Sequence, residues 1–260
     1  QKEKFTRLAL WVGFLSILFF TLWRLGFSPI RILKGLKDLG WLIPVMFPPT
    51  SGGFLFEFIG GLGETLAMAF LGTVFGFLFA VPLGFLAAKN VIDNPVIHFL
   101  LRRFFDAIRG IDGLIWALMC VHVVGLGPFA GILAITITDT ATLGKLFSEA
   151  IENIDQVQVT GTESTGANKI QLIRYAFVPQ VLPVMMSNVL YFFESNVRSA
   201  SILGVLGAGG IGMQLSDRIR AMRWNEACFI IIMILITVAI IDTISKSLRL
   251  RIIANEEYRP

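Results

Sequence analysis

Thirty-one consecutive residues, Phe58 to Ala88, carry a single charge, Glu64. At about 1.5 Å of rise per residue such a run crosses a bilayer with length to spare, and it is too long and too apolar for a surface helix of a soluble domain. Comparable runs recur at Leu8 to Leu25, Phe99 to Val124, Phe129 to Phe147, Phe177 to Leu206 and Ala227 to Leu248. Charged residues make up 15% of the chain, against about a quarter in ordinary soluble domains. A β-barrel would show short alternating segments instead of long unbroken ones. The expected fold is therefore an all-α membrane protein of about six transmembrane helices.

The formal net charge of +4 does not point to nucleic acid, because the basic residues stand at the ends of the apolar runs, where membrane topology places them. Cys120 and Cys228 both fall inside apolar runs and read as small core residues. His98 and His122 lack partners at ligand spacing, so no metal site is expected.

One polar island interrupts this pattern, from Ser148 to Pro179. Unpaired polar groups cost several kcal/mol each in hydrocarbon, so the island must lie in water beside the membrane. Its apolar positions, Phe147, Ile151 and Ile154, then Ile170, Leu172, Ile173 and Phe177 beyond Gly166 and Asn168, predict two short helices with a glycine break between them. Such a knob suits a soluble partner.

The amino-terminal run follows Lys2, Lys4 and Arg7, and without a small-x-small cleavage signal it is expected to stay as a span; the first residue, Gln1, implies a natural start slightly upstream. Arg31, Lys34 and Lys37, interleaved with Ile30, Ile32, Leu33 and Leu36, predict a short amphipathic helix at the interface, followed by Trp41 and the Phe47-Pro48-Pro49 turn. Pro82 is expected to kink the second span. In the third, Arg102, Arg103, Asp106, Arg109 and Asp112 crowd the first half, so burial should begin near Leu114. The domain division expected from this pattern is residues 1–56, a span with its interfacial helix and outer loop, and 57–260, the core with the polar segment at 148–179.

Six spans place both termini on one side. Putting the termini and the polar island in the cytoplasm assigns fourteen Lys and Arg to that side and seven to the other.

Ionisable groups inside spans are costly and mark cavities or pathways. Glu194 and Arg198, four apart, share one helical face, with Asn196 beside them; counting from the cytoplasmic end puts Arg198 in the outer half of the membrane. Its guanidinium fork suits a phosphate-like oxyanion, while a self-neutralising Glu194–Arg198 pair is the structural alternative. Asp139, between Thr138 and Thr140, reads first as a structural hydrogen-bonding group and also as a candidate for the route. Arg198, Glu194, Asn196 and Asp139 are thus the candidate substrate pathway.

Gly207, Gly209 and Gly212 satisfy G-x-G-x-x-G, but an apolar span precedes them and no βαβ unit is present, which excludes a dinucleotide site. With Gly210 they predict a tight outer turn that lets helices approach closely. No G-x-x-x-x-G-K-[ST] loop occurs, so the chain is not expected to hydrolyse ATP or to hold a cofactor.

The stretch VTGTESTGANKIQLIRYAFVPQVLP resembles the cytoplasmic coupling segment of the permeases of ABC importers, a pattern of Glu-Ala-Ala, three residues, Gly, and a hydrophobic run closing on Pro. Gly166, Ala167 and Pro179 match it; Thr160, Gly161 and Thr162 stand where the pattern has Glu-Ala-Ala. Further stretches, FPPT, ETLAMAFLGT, WALMCVHVVGLGPFAG, LGKLFSEAIENID and FFESNVRSASILGVLGAGGIG, are similar to the phosphonate and phosphite branch of that family. The resemblance implies a type I importer permease fold in a bacterial inner membrane. It also implies a second copy of the chain, two cytoplasmic ATPase subunits that bind ATP and Mg, and an extracytoplasmic substrate-binding protein. On that pattern Thr160, Gly161, Thr162, Gly166 and Ala167 couple to the ATPase, and Gly207, Gly209, Gly210 and Gly212 form an outer gate turn. Import of methionine or a quaternary amine is the nearest alternative. A secondary transporter would need an internal repeat, and a membrane enzyme would need clustered catalytic groups; neither is found in the sequence.

Overall fold

The computed structural model describes residues 2–257; Gln1 and the end of the polar tail lie outside them. The chain divides into two compact units, Gln1–Pro48 and Pro49–Pro260. The first unit holds α1 (Lys2–Arg24) and α2 (Pro29–Met46). Apolar side chains of α1 such as Leu10, Phe19 and Trp23 are exposed, and α2 carries no buried residue, as an amphipathic interfacial helix would. Proline at its first position starts α2, because a first-turn N–H has no helical partner to lose.

The second unit runs α3 (Leu55–Ala87), α4 (Pro95–Arg109), α5 (Gly113–Val124), α6 (Pro128–Glu152), α7 (Gln156–Glu163), α8 (Lys169–Leu172), α9 (Val178–Leu203), α10 (Gly210–Arg220) and α11 (Trp224–Glu257). Single π turns, Ile173–Phe177 and Gly204–Ala208, follow α8 and α9. Among the described residues five helical segments are long and apolar enough to cross a membrane, or six if the bent pair α4–α5 counts as one span.

The expected third span is the exception and is corrected here. It is not one helix but α4 and α5, bent by 85°. Asp112 accepts the Leu114 N–H at 2.8 Å and so starts a new helix, three residues after Arg109 ends the previous one. Two charges of α4 are turned toward α6, with Arg102 bonded to Glu152 at 2.7 Å and Asp106 to Lys145 at 2.5 Å. A segment held by such pairs follows the polar end of α6 and does not continue into α5.

Packing of α3 against α6 organises the unit. Gly72, Gly76, Ala80 and Gly84 recur every fourth residue and bring the two backbones together. A methyl group on Gly76 would stand 2.6 Å from the Asp139 Cβ, and one on Gly84 would stand 2.9 Å from the Phe147 Cβ. Gly76→Ala is therefore expected to force the helices apart at a cost of about 1–3 kcal/mol, read as a lower melting temperature of the detergent-solubilised protein. An unchanged melting temperature would show that this crossing has slack. At the end of the bundle that contains the start of α3, Arg218 of α10 joins Glu57 and Glu226 and lies over the Phe54 ring, tying α3, α10 and α11.

Candidate functional site

In the middle of the bundle, three helices place polar groups against one another. Asn196 of α9 donates through its amide nitrogen to the Thr73 hydroxyl of α3 at 2.8 Å and to the Asp139 carboxylate of α6 at 2.5 Å. All three side chains are buried. Thr73 and Asp139 sit near the middles of their helices, which fixes the depth of Asn196. Arg198 lies two residues further along α9, about 3 Å beyond that level on the side of the glycine turn. The first turns of α9 still stand beside the polar segment: the Gln180 side chain accepts the Asp155 backbone N–H at 2.9 Å.

Glu194 lies one turn before Arg198 and is almost wholly buried, at 5% exposure. Arg198 Nη2 donates to one of its oxygens at 3.2 Å. Arg249 of α11 donates to the other at 2.9 Å and also lies over the Tyr191 ring. The local group is thus one carboxylate between two guanidiniums, with a surplus of one positive charge. Arg249 was not among the sequence-predicted site residues, having been counted with the carboxyl-terminal tail; its contact spans 55 residues of sequence and leaves no local signal. Half of the Arg198 side chain remains exposed, at the edge of an apolar groove of about 420 Å³ between α9, α10 and α11.

The glycine turn lies elsewhere, where α9 meets α10. Gly207, Gly209 and Gly210 all have positive φ, which only glycine adopts freely. The Gly210 N–H is accepted by Glu64 at 3.0 Å and the Ile211 N–H by the Thr65 hydroxyl at 2.9 Å, which satisfies two first-turn amides of α10. Glu64, the single charge in the longest apolar run, thereby caps α10. Gly212 faces backbone: a methyl group there would run into the Ser201 carbonyl oxygen and stand 3.0 Å from the Gly204 Cα.

The polar island forms a helix, a break and a second helix. Its first five residues continue α6, and α7 begins after Asp155, whose carboxylate accepts the Val157 N–H at 2.9 Å. Gly166 occupies the break with φ of 81° and open space around it. Asn168 and Gln171 form a capping box that starts α8. That second helix is not separate, because α8 runs through the π turn into α9. Ile154, Val159 and Leu172 pack onto the core formed by Phe147, Ile151 and Phe177. Thr160, Gly161 and Gly166 are exposed while Thr162 and Ala167 are half-buried; Val157 and Ile170 project outward. The candidate pathway group and this candidate coupling segment are therefore separate sites joined by α9.

Residues 80–253 match the family described as the binding-protein-dependent transport system inner membrane component. The protein HtxC of Stutzerimonas stutzeri is 40% identical over 219 residues, which cover 84% of this chain and 77% of that one. The phosphite transport system permease protein PtxC of the same organism is 33% identical over 228 residues, covering 87% and 82%. Among solved structures, an inward-facing conformation of the MetNI methionine ABC transporter aligns with a TM-score of 0.69 at 20% identity, over 78% of this chain and 99% of that one, a likeness of fold.

Proposed function

We propose that this chain, which belongs to the family of binding-protein-dependent transport system inner membrane components, is the permease subunit of an ATP-driven importer for phosphite, phosphonate or a similar oxyanion. The observation that carries the choice of an anion is the Glu194 carboxylate held between Arg198 and Arg249. A lone ion pair is neutral and offers nothing to an anion. Two guanidiniums on one carboxylate leave a net positive charge at mid-bundle, with the exposed Arg198 free to turn toward an incoming oxyanion while Arg249 keeps Glu194 paired. The relative PtxC, named for phosphite transport, supports the same class of solute.

In this reading two copies of the chain face each other and an extracytoplasmic binding protein delivers the solute. The segment around Gly166 docks on a cytoplasmic ATPase subunit, where ATP and Mg are bound. Both termini and that segment lie on the cytoplasmic side, which collects the larger share of Lys and Arg. ATP-driven closure of the ATPase pair moves α7, and the movement reaches the pathway along α9, which joins the docking segment to Glu194 and Arg198. The access side then alternates around a central site.

The test is uptake into vesicles that hold the chain with its ATPase and binding protein. ATP-dependent accumulation of phosphite or methylphosphonate, with none of methionine, is expected; the reverse preference would overturn the anion reading. In the same vesicles Gly166→Trp is expected to leave basal ATP hydrolysis within about twofold and to lower uptake at least tenfold. The residue is solvated, so the bundle does not need it, while a bulky side chain strains the positive φ and fills the docking face. Normal coupling in that variant would remove the docking role.

A further inference from the structure

Next to the Asn196–Asp139 pair lies a cavity of about 300 Å³ that plays no part in the reading above. It opens at the break between α4 and α5. Asp112 and Gly113 form one side of it, and Thr138 of α6 with Asn196 and Ser199 of α9 form the other.

Its polar character follows from which atoms are already engaged. Asn196 is 8% exposed, and its amide nitrogen donates to Thr73 and Asp139. The group left over is its carbonyl oxygen, which accepts no hydrogen bond among the described residues. The Thr138 hydroxyl donates to the Ala134 and Ile135 carbonyls at 3.0 Å each, so toward the cavity it can only accept. Asp112 caps α5 with one oxygen and keeps the other free. Two donors line the cavity beside these acceptors: the Ser199 hydroxyl and the first backbone N–H of α5, at Gly113. A fitting ligand must therefore present a hydrogen-bond donor to these acceptors and acceptor oxygens to the two donors.

Resting on the oxyanion reading above, we infer that this cavity binds phosphite or phosphonate as the singly protonated anion. Its P–OH donates to Asn196 Oδ1 or Asp112, and its charged oxygens accept from the Gly113 N–H and Ser199. A fully deprotonated oxyanion presents only lone pairs to the Asn196 and Asp112 oxygens and is rejected by the unmet acceptors. The cavity shares Leu114 and Ile202 with the groove that carries Arg198, so one layer of side chains separates the attracting charge from the site that reads the proton. The acidic and basic side chains within five residues of the lining are Arg109 at the end of α4, Asp112 itself, Asp139 on α6, and Glu194 and Arg198 on α9, the last two joined by Arg249 of α11; α3 contributes the neutral Thr73.

Asp112→Asn tests this, because asparagine caps a helix as well as aspartate does but presents an amide that can donate. Initial rates of phosphite uptake are measured between pH 5.5 and 8 in vesicles with the ATPase and binding protein. Across that range a phosphate-like group loses its second proton, at about pH 6 for a phosphate monoester. Wild-type uptake is expected to fall by roughly tenfold as the monoanion disappears, and the variant by less than about threefold. ATPase and binding protein are common to both, so the difference between profiles belongs to this chain. Superposable profiles would overturn the inference while leaving oxyanion import in place. Ser199→Ala is expected to raise KM for phosphite at least threefold without moving the midpoint of the profile, and an unchanged KM would equally overturn it. Absence of phosphite and methylphosphonate uptake by the wild type at every pH would remove the functional reading itself.

Discussion

Arg198→Ala is expected to reduce the initial rate of phosphite uptake by roughly ten- to a hundredfold while the chain still folds and still binds its ATPase. A hydrogen bond from a charged group contributes about 1.5–3 kcal/mol, and each 1.4 kcal/mol is a factor of ten. Folding survives because Glu194 is not orphaned: Arg249 still reaches it at 2.9 Å. What disappears is the surplus charge, since one guanidinium and one carboxylate cancel. Arg249→Ala makes the complementary case, leaving the neutral Glu194–Arg198 pair. If surplus charge attracts the anion, both variants lose uptake; if only direct contact by Arg198 matters, Arg249→Ala stays near wild type. Arg198→Lys should recover part of the rate, since it restores the charge without the planar fork. Wild-type uptake with Arg198→Ala would take this residue out of the pathway.

The legible and illegible parts of this molecule differ in the range of the interactions behind them. Spans are set by local apolarity, so α1, α3, α6, α9 and α11 follow from runs of sequence, and Gly166 stands out because a break needs a residue that tolerates positive φ. The bend at Asp112 also had local signs, Gly110 ending one helix and Asp112 capping the next. Hydropathy continues across them, so the sequence pattern alone favours one charged half-span. Two features needed the third dimension. The stripe Gly72, Gly76, Ala80 and Gly84 has a visible spacing, but only contact with Asp139 and Phe147 shows which helix it admits. Arg249 completes the charged group from another helix, and no periodicity links it to Glu194. The same distance explains why the sequence alone left the Glu194–Arg198 pair balanced between a neutral structural pair and an anion site: the deciding charge comes from α11.

Gly212→Ala is expected to be the most damaging single methyl addition in the chain, lowering stability by about 3 kcal/mol or more and leaving little protein that elutes as a single species in detergent. At a position such as Gly131 the nearest atom is the Met68 sulfur, the flexible part of a side chain that can turn away. At Gly212 the obstacle is the Ser201 carbonyl oxygen, with the Gly204 Cα beside it, so relief requires moving the backbone of α9. That backbone is anchored at several points: Asn196 to α3 and α6, Glu194 to α11, and the following turn to α6 through the Gly127 N–H, which donates to the Gly207 carbonyl at 3.0 Å. Displacing α9 at Ser201 therefore strains the group that carries Arg198, and any protein that does fold should transport poorly as well. Gly161→Ala is the control, because no atom outside its own helix lies within 4 Å of the added methyl and alanine favours a helix. It should melt at or slightly above the wild-type temperature. A Gly212→Ala protein with wild-type Tm and uptake would mean that α9 and α10 do not meet at this spacing, and that the glycines of this turn answer to some other constraint.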